Sequence, residues 1–117
     1  MSLRLTQIFG VQMKFGDKIR TLRRQKRLTL DELAVEAGMS KSYLWELENR
    51  DTAKPSAEKL DKLAKALSMP VSYFLEADVA EPEERHLDEA FFRDYSSLEA
   101  PAKEQLRKII EAFKKSS

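Results

Sequence analysis

Apolar positions along the chain recur at three- and four-residue spacing, and the period-two alternation of a half-buried strand is missing. Residues 16–75 divide into five short helical stretches set apart by stop signals. The first runs from Gly16 to Lys26, with Ile19 and Leu22 on one side amid five basic residues. Thr29-Leu30-Asp31-Glu32 opens the second as a capping box: the threonine hydroxyl takes the amide of the third helical residue, and Glu32 reaches back. Leu33, Ala34 and Ala37 then face inward, and Gly38 ends that helix as a left-handed cap. Ser40 caps a third helix running to about Glu48. Pro55-Ser56 opens a fourth, where Leu60, Leu63, Ala64 and Leu67 fall at i, i+3, i+4 and i+7. Pro70 starts a last short helix carrying Val71, Tyr73, Phe74 and Leu75.

The pattern changes after Leu75. Residues 76–89 hold seven acidic side chains and Pro82 against Arg85 and His86, which predicts an acidic linker with a solvated His86. Two helices follow, near Leu87–Tyr95 and Ala100–Lys115, with Pro101 tolerated in the first turn of the second. Leu106, Ile109, Ile110 and Phe113 form an apolar stripe on the last helix, and Phe91 and Phe92 lie on the one before it. A two-helix tail of about thirty residues is too small to bury such a stripe within itself. The stripe must pack either back onto the five-helix domain or onto a second chain. The polar, proline-containing linker favours the second, so Phe91, Leu106, Ile109, Ile110 and Phe113 are expected to dimerise the chain. The organisation that results is an N-terminal extension (1–14), a five-helix domain (15–75), an acidic linker (76–86) and a C-terminal oligomerisation segment (87–117).

Composition narrows the chemistry. The 117 residues include no cysteine, one histidine and three glycines. Disulfide frameworks, thiolate metal sites and glycine-rich phosphate loops are excluded, and a hydrolase triad is improbable. Ser56-x-x-Lys59 has the spacing of a serine–lysine nucleophile pair, but a serine after proline at a helix start reads as a cap. Glu81, Glu83 and Glu84 lie in sequence within the linker, without the fixed separation that acid–base catalysis needs. Neither an enzyme nor a cofactor or metal site is expected. Thr6, Gln7 and Gln12 break any signal-peptide core near the start, where Met13 offers a second start, and no run approaches the ~18 apolar residues of a membrane span. A cytoplasmic protein is expected.

Net charge is +1 but unevenly spread. Residues 14–75 carry thirteen Lys/Arg against nine Asp/Glu, and residues 76–117 carry seven against eleven. A polyanion-binding face is thus expected on the first half alone. Its position follows from the span Thr29–Glu48, two short capped helices joined by the tight turn Gly38-Met39-Ser40. At ~100° per residue, Leu44, Leu47 and Glu48 fall on one side of the third helix. Lys41, Ser42, Trp45, Glu46 and Asn49 share the opposite arc.

The order Leu28-Thr29-Leu30-Asp31-Glu32-Leu33-Ala34, Gly38-Met39-Ser40, Tyr43-Leu44, Leu47-Glu48, Pro55-Ser56 and Leu60-x-x-Leu63-Ala64-x-x-Leu67 closely resembles the lambda-repressor-like (XRE) DNA-binding domains. The resemblance covers roughly residues 15–75. It implies an all-α, five-helix domain that inserts its third helix into the DNA major groove, normally as a symmetric dimer. It puts Lys41, Ser42 and Glu46 where the family reads base edges, a task lysine and glutamate suit as donor to guanine and acceptor from cytosine. Tyr43, Trp45 and Asn49 fall beside them towards the backbone, and Thr29 and Lys54 where the family contacts phosphate. Arg23 and Glu48 match a partly buried ion pair joining helices 1 and 3. Two positions depart from the family. Leu30 replaces a phosphate-contacting glutamine, and Asn49-Arg50-Asp51 replaces a glycine turn, for which Asn49 tolerates the left-handed conformation and Arg50 adds a possible phosphate contact.

The reading favoured by these residues is a sequence-specific transcriptional regulator, a repressor occupying an operator as a dimer. Two alternatives stay open: an antitoxin whose acidic tail grips a toxin, and a protein-interaction module that keeps the fold without reading DNA.

Overall fold

A computed structural model describes residues 13–116; the first twelve residues, including most of the N-terminal extension, and Ser117 lie outside the description. Among the described residues the chain is all-α. Seven helices run in order: α1 Phe15–Gln25, α2 Leu30–Glu36, α3 Lys41–Asn49, α4 Ala57–Ala66, α5 Val71–Leu75, α6 Glu84–Ser96 and α7 Ala100–Ser116.

The first five close around one core. Ile19 and Leu22 of α1, Leu33 and Ala34 of α2, Leu44 and Leu47 of α3, Leu60, Leu63 and Ala64 of α4 and Tyr73 and Phe74 of α5 are all buried together. Each leucine removed from water in this way contributes roughly 1.5–3 kcal/mol, which lets helices of five to eleven residues persist where isolated ones would melt. Leu75, grouped with the apolar residues of α5 by sequence, is exposed instead.

Capping follows the side-chain chemistry closely. The Glu32 amide donates to Thr29 Oγ1 at 3.1 Å while the Thr29 amide donates to Glu32 Oε1 at 2.8 Å, completing the predicted box. Hydrogen bonds to the carboxyl from Thr29, its backbone amide first and its side chain second, hold Glu32 below the usual carboxylate range. Ser40 Oγ accepts from the Tyr43 amide and Ser56 Oγ from the Lys59 amide, so Ser56 is a helix cap. At the far ends, α1, α2 and α4 share one closing motif. The amides of Leu28, Met39 and Met69 donate to the carbonyls of Arg23, Ala34 and Ala64. The residue inside each closure is left-handed: Arg27 (φ 58°), Gly38 (φ 65°) and Ser68 (φ 56°). Only the glycine was legible from the sequence.

The stretch 76–83 is clasped onto the domain, and α6 starts at Glu84, three residues before the expected boundary. The Lys18 ammonium donates to the Tyr73 and Glu76 carbonyls at 2.7 and 2.6 Å, and the Tyr73 hydroxyl donates to the Ala80 carbonyl at 2.6 Å. His86, expected in solvent, is buried. Its ring meets Tyr73 edge-on, its Nδ1 accepts from the Glu83 amide at 2.8 Å, and its Nε2 contacts Glu76 Oε1. Arg93 donates to the Met69 carbonyl at 2.7 Å and fastens the middle of α6. α7 buries no residue.

Candidate nucleic-acid interface

The presentation of α3 begins with a glycine in α1. A Cβ placed on Gly16 would stand 2.4 Å from the Glu48 carbonyl oxygen and 2.7 Å from that of Leu47, so α1 and α3 approach as closely as they do only because position 16 has no side chain. Arg23 then locks the contact. Its Nε donates to Glu48 Oε2 at 2.7 Å and its Nη2 to Oε1 at 3.0 Å, a two-pronged pair with the carboxylate 2 % exposed. The hydrogen bond to Glu48 raises the Arg23 pKa above its ordinary value. A third bond, from Arg23 Nη1 to the Leu28 carbonyl, ties the same guanidinium to the end of α1.

A second arginine, not singled out by the sequence, supports the same end of α3. Arg20 Nη2 donates to the Glu48 carbonyl at 2.8 Å and to Asn49 Oδ1 at 2.7 Å. Its place three residues before Arg23 was the available signal. These bonds also correct the expectation for Asn49. The residue stays helical, its amide donating to the Trp45 carbonyl at 2.8 Å, and the chain leaves α3 through an extended Arg50 (φ −115°). The side chain found partners inside the helix and on α1, so no left-handed turn is needed.

With Leu44, Leu47 and Glu48 buried, the opposite arc of α3 stands clear: Lys41, Ser42, Trp45, Glu46 and Asn49 are exposed, the indole at 48 %. Lys41 lies 3.3 Å from Asp31 in an exposed pair that water can readily exchange. Tyr43 is half-buried and packs against the core, as does Leu30. Thr29 is exposed at the N-terminus of α2, its hydroxyl oxygen accepting within the cap. In the first five helices and their loops, Arg24, Lys26, Arg27, Arg50 and Lys54 form no ion pair among the described residues. The tail residues separate in a different way. Phe91, Phe92, Ile109, Ile110 and Phe113 are exposed, and Leu106 is half-buried. No group of acidic and histidine side chains among the described residues could hold a metal ion, and no described helix is long and apolar enough to cross a membrane.

A capped reading helix, turned outward after a three-residue reversal and pinned from behind by arginine, defines a helix-turn-helix protein of the lambda-repressor-like class. The chain belongs to the helix-turn-helix domain family, whose model matches residues 14–72. It is 33 % identical over 103 residues to the immunity repressor protein of Bacillus phage phi105, covering 85 % of this chain and 66 % of that protein. It is 30 % identical over 99 residues to the HTH-type transcriptional regulator SinR of Bacillus subtilis, covering 82 % and 88 %. It spans less than half the length of two further regulators of that organism, RghRB and RghR. Among solved structures, SinR in complex with DNA matches at a TM-score of 0.51 and 35 % identity, over 53 % of this chain and 98 % of that one. The complex of SinR with the SinI protein matches at 0.53 and 28 %, over 88 % and 99 %.

Proposed function

We propose that this chain is a sequence-specific transcriptional repressor that occupies duplex DNA as a homodimer in the cytoplasm and carries out no catalysis. The observation that carries the reading is the outward arc of α3 held from behind by the Arg23–Glu48 pair. A helix so fixed can enter the major groove without losing its register. Lys41, Ser42 and Glu46 read base edges, with Lys41 exchanging Asp31 for a guanine. Thr29, Trp45, Arg50 and Lys54 meet the backbone. Tyr43 and Asn49 contribute from the edge of the arc, the first through its outer ring edge and the second while still bonded to Arg20.

Phe91, Leu106, Ile109, Ile110 and Phe113 supply the dimer contact, because Phe91, Ile109, Ile110 and Phe113 leave much of their apolar surface in water within the described chain. A second reading concerns the same segment. The likeness to the SinR–SinI complex extends over 88 % of this chain and so takes in the C-terminal helices, which favours a regulatory protein partner there.

Selection of bound sites from random duplex DNA tests the proposal directly. An enriched motif with two-fold symmetry is the expected result, and failure to enrich any motif would sink it. In the same assay Lys41→Ala and Glu46→Ala should each relax preference at one base position, by about 1–3 kcal/mol.

A further inference from the structure

Arg27 holds a backbone conformation that arginine avoids. Its φ of 58° matches that of Gly38 at the equivalent place after α2. Only glycine enters this region without steric penalty. The closing bonds around Arg27, from its own amide to Arg24 and from Leu28 to Arg23, would form as well with glycine there. Folding alone thus favours glycine at position 27. What the chain has is a guanidinium, exposed and without an ion pair among the described residues. A local rule broken where charge is exposed points to a use for the charge.

The neighbours define that use. Arg20, Arg23 and Arg24 stand at i, i+3 and i+4 on one face of α1, and Arg27 follows two residues past the end of that helix. Arg20 and Arg23 of this face are spent on α3, bonding the Glu48 carbonyl, Asn49 and the Glu48 carboxylate. Arg24 on that face and Arg27 just past the helix end are both exposed. Arg24 also forms no ion pair among the described residues. The planar fork of a guanidinium fits phosphate oxygens and is indifferent to base sequence.

We propose that Arg24 and Arg27 form a phosphate-binding rim at the C-terminal end of α1, outside the helix-turn-helix unit, that grips the DNA backbone beside the groove entered by α3. The rim rests on the DNA-binding reading above and adds affinity without adding sequence preference. That grip is the reason arginine stands at position 27 despite the backbone strain it carries there.

The test uses the full chain, the selected duplex and an unrelated duplex of equal length, with binding measured between about 50 and 200 mM salt. Arg27→Gly should melt no lower than the parent yet bind both duplexes more weakly by one common factor. Its log–log salt slope should be shallower by about 0.9, and that of the Arg24→Ala/Arg27→Gly double variant by about 1.8. Arg27→Lys, which retains the charge on the same backbone, should keep most of the slope. A double variant with the parental slope would overturn the rim and leave the DNA reading standing. A shift in the sequence selected would overturn it too, since the arginines would then read bases. A parent protein whose affinity ignores salt would overturn both the rim and the reading beneath it.

Discussion

The five-helix domain and the α6–α7 tail solve the burial problem in opposite ways. In the domain the apolar faces of all five helices meet in one core, though Val35, Trp45 and Leu75 stay exposed. There α3 can leave its opposite arc in water because its other side is covered by α1, α2 and the core. In the tail, α6 is tied down through polar and ring contacts of His86 and Arg93, while α7 buries nothing and leaves Ile109, Ile110 and Phe113 in water. A closed core frees surface for reading DNA. An open apolar stripe is what an assembly contact would use. On the proposed reading the two regions divide recognition and assembly between them, joined by a clasp and not by a loose spacer.

That division can be broken at its strongest point first. Glu48→Ala leaves the Arg23 guanidinium, 13 % exposed, without its anion, and should destabilise the domain by about 3–5 kcal/mol in urea denaturation. Retention of parental stability would show that the pair is solvated in solution. Next in size is Gly16→Ala. Its new methyl meets the Glu48 and Leu47 carbonyls, so α3 must move, at about 1–3 kcal/mol and with weakened operator binding.

The tail should respond in the reverse sense. Ile109→Asp with Phe113→Asp should change domain stability by less than about 0.5 kcal/mol, because neither side chain is buried. Sedimentation at micromolar concentration should nevertheless show a monomer, with operator binding reduced. A double variant that remains dimeric would move the interface to α4 and α5, around Val71 and Phe74.

The smallest effect lies in the clasp. Arg85 first, then His86, hold the Glu76 carboxyl below the usual carboxylate range. A depressed folded value means that the ionised form stabilises the fold. The contribution is complete above about pH 5 and is lost as pH falls through the unfolded value, near 4.3, towards the folded one. Melting temperatures recorded across that range should fall less steeply for Glu76→Gln. Parallel acid limbs for the two proteins would remove Glu76 from the clasp.

Local chemistry made much of the domain legible. Thr29 and Glu32, Ser40, Ser56 and Gly38 act through neighbours within a few residues, so their caps and turn could be read from spacing alone. The arc of α3 followed from helical periodicity, and the Arg23–Glu48 pair from a family resemblance. Arg20 was missed because its partners lie 28 and 29 residues away and follow no short-range pattern. His86 was misread for the same reason: an acidic, proline-containing stretch looks solvated unless Tyr73 and Glu76 are known to close over it. Arg27 and Ser68 escaped notice because a left-handed residue is signalled by glycine, and here the closing bonds impose the conformation on other side chains.

By itself, then, the sequence determined the seven helices of the described residues, the inward and outward faces of α3 and the apolar stripe of the tail, since periodicity and capping depend on residues close in the chain. Only the tertiary structure decided how closely α1 approaches α3 over Gly16, which arginines are committed to α3 and which remain for a ligand, and how α6 is fastened to the domain. Those outcomes depend on distances between residues far apart in sequence, which packing alone sets.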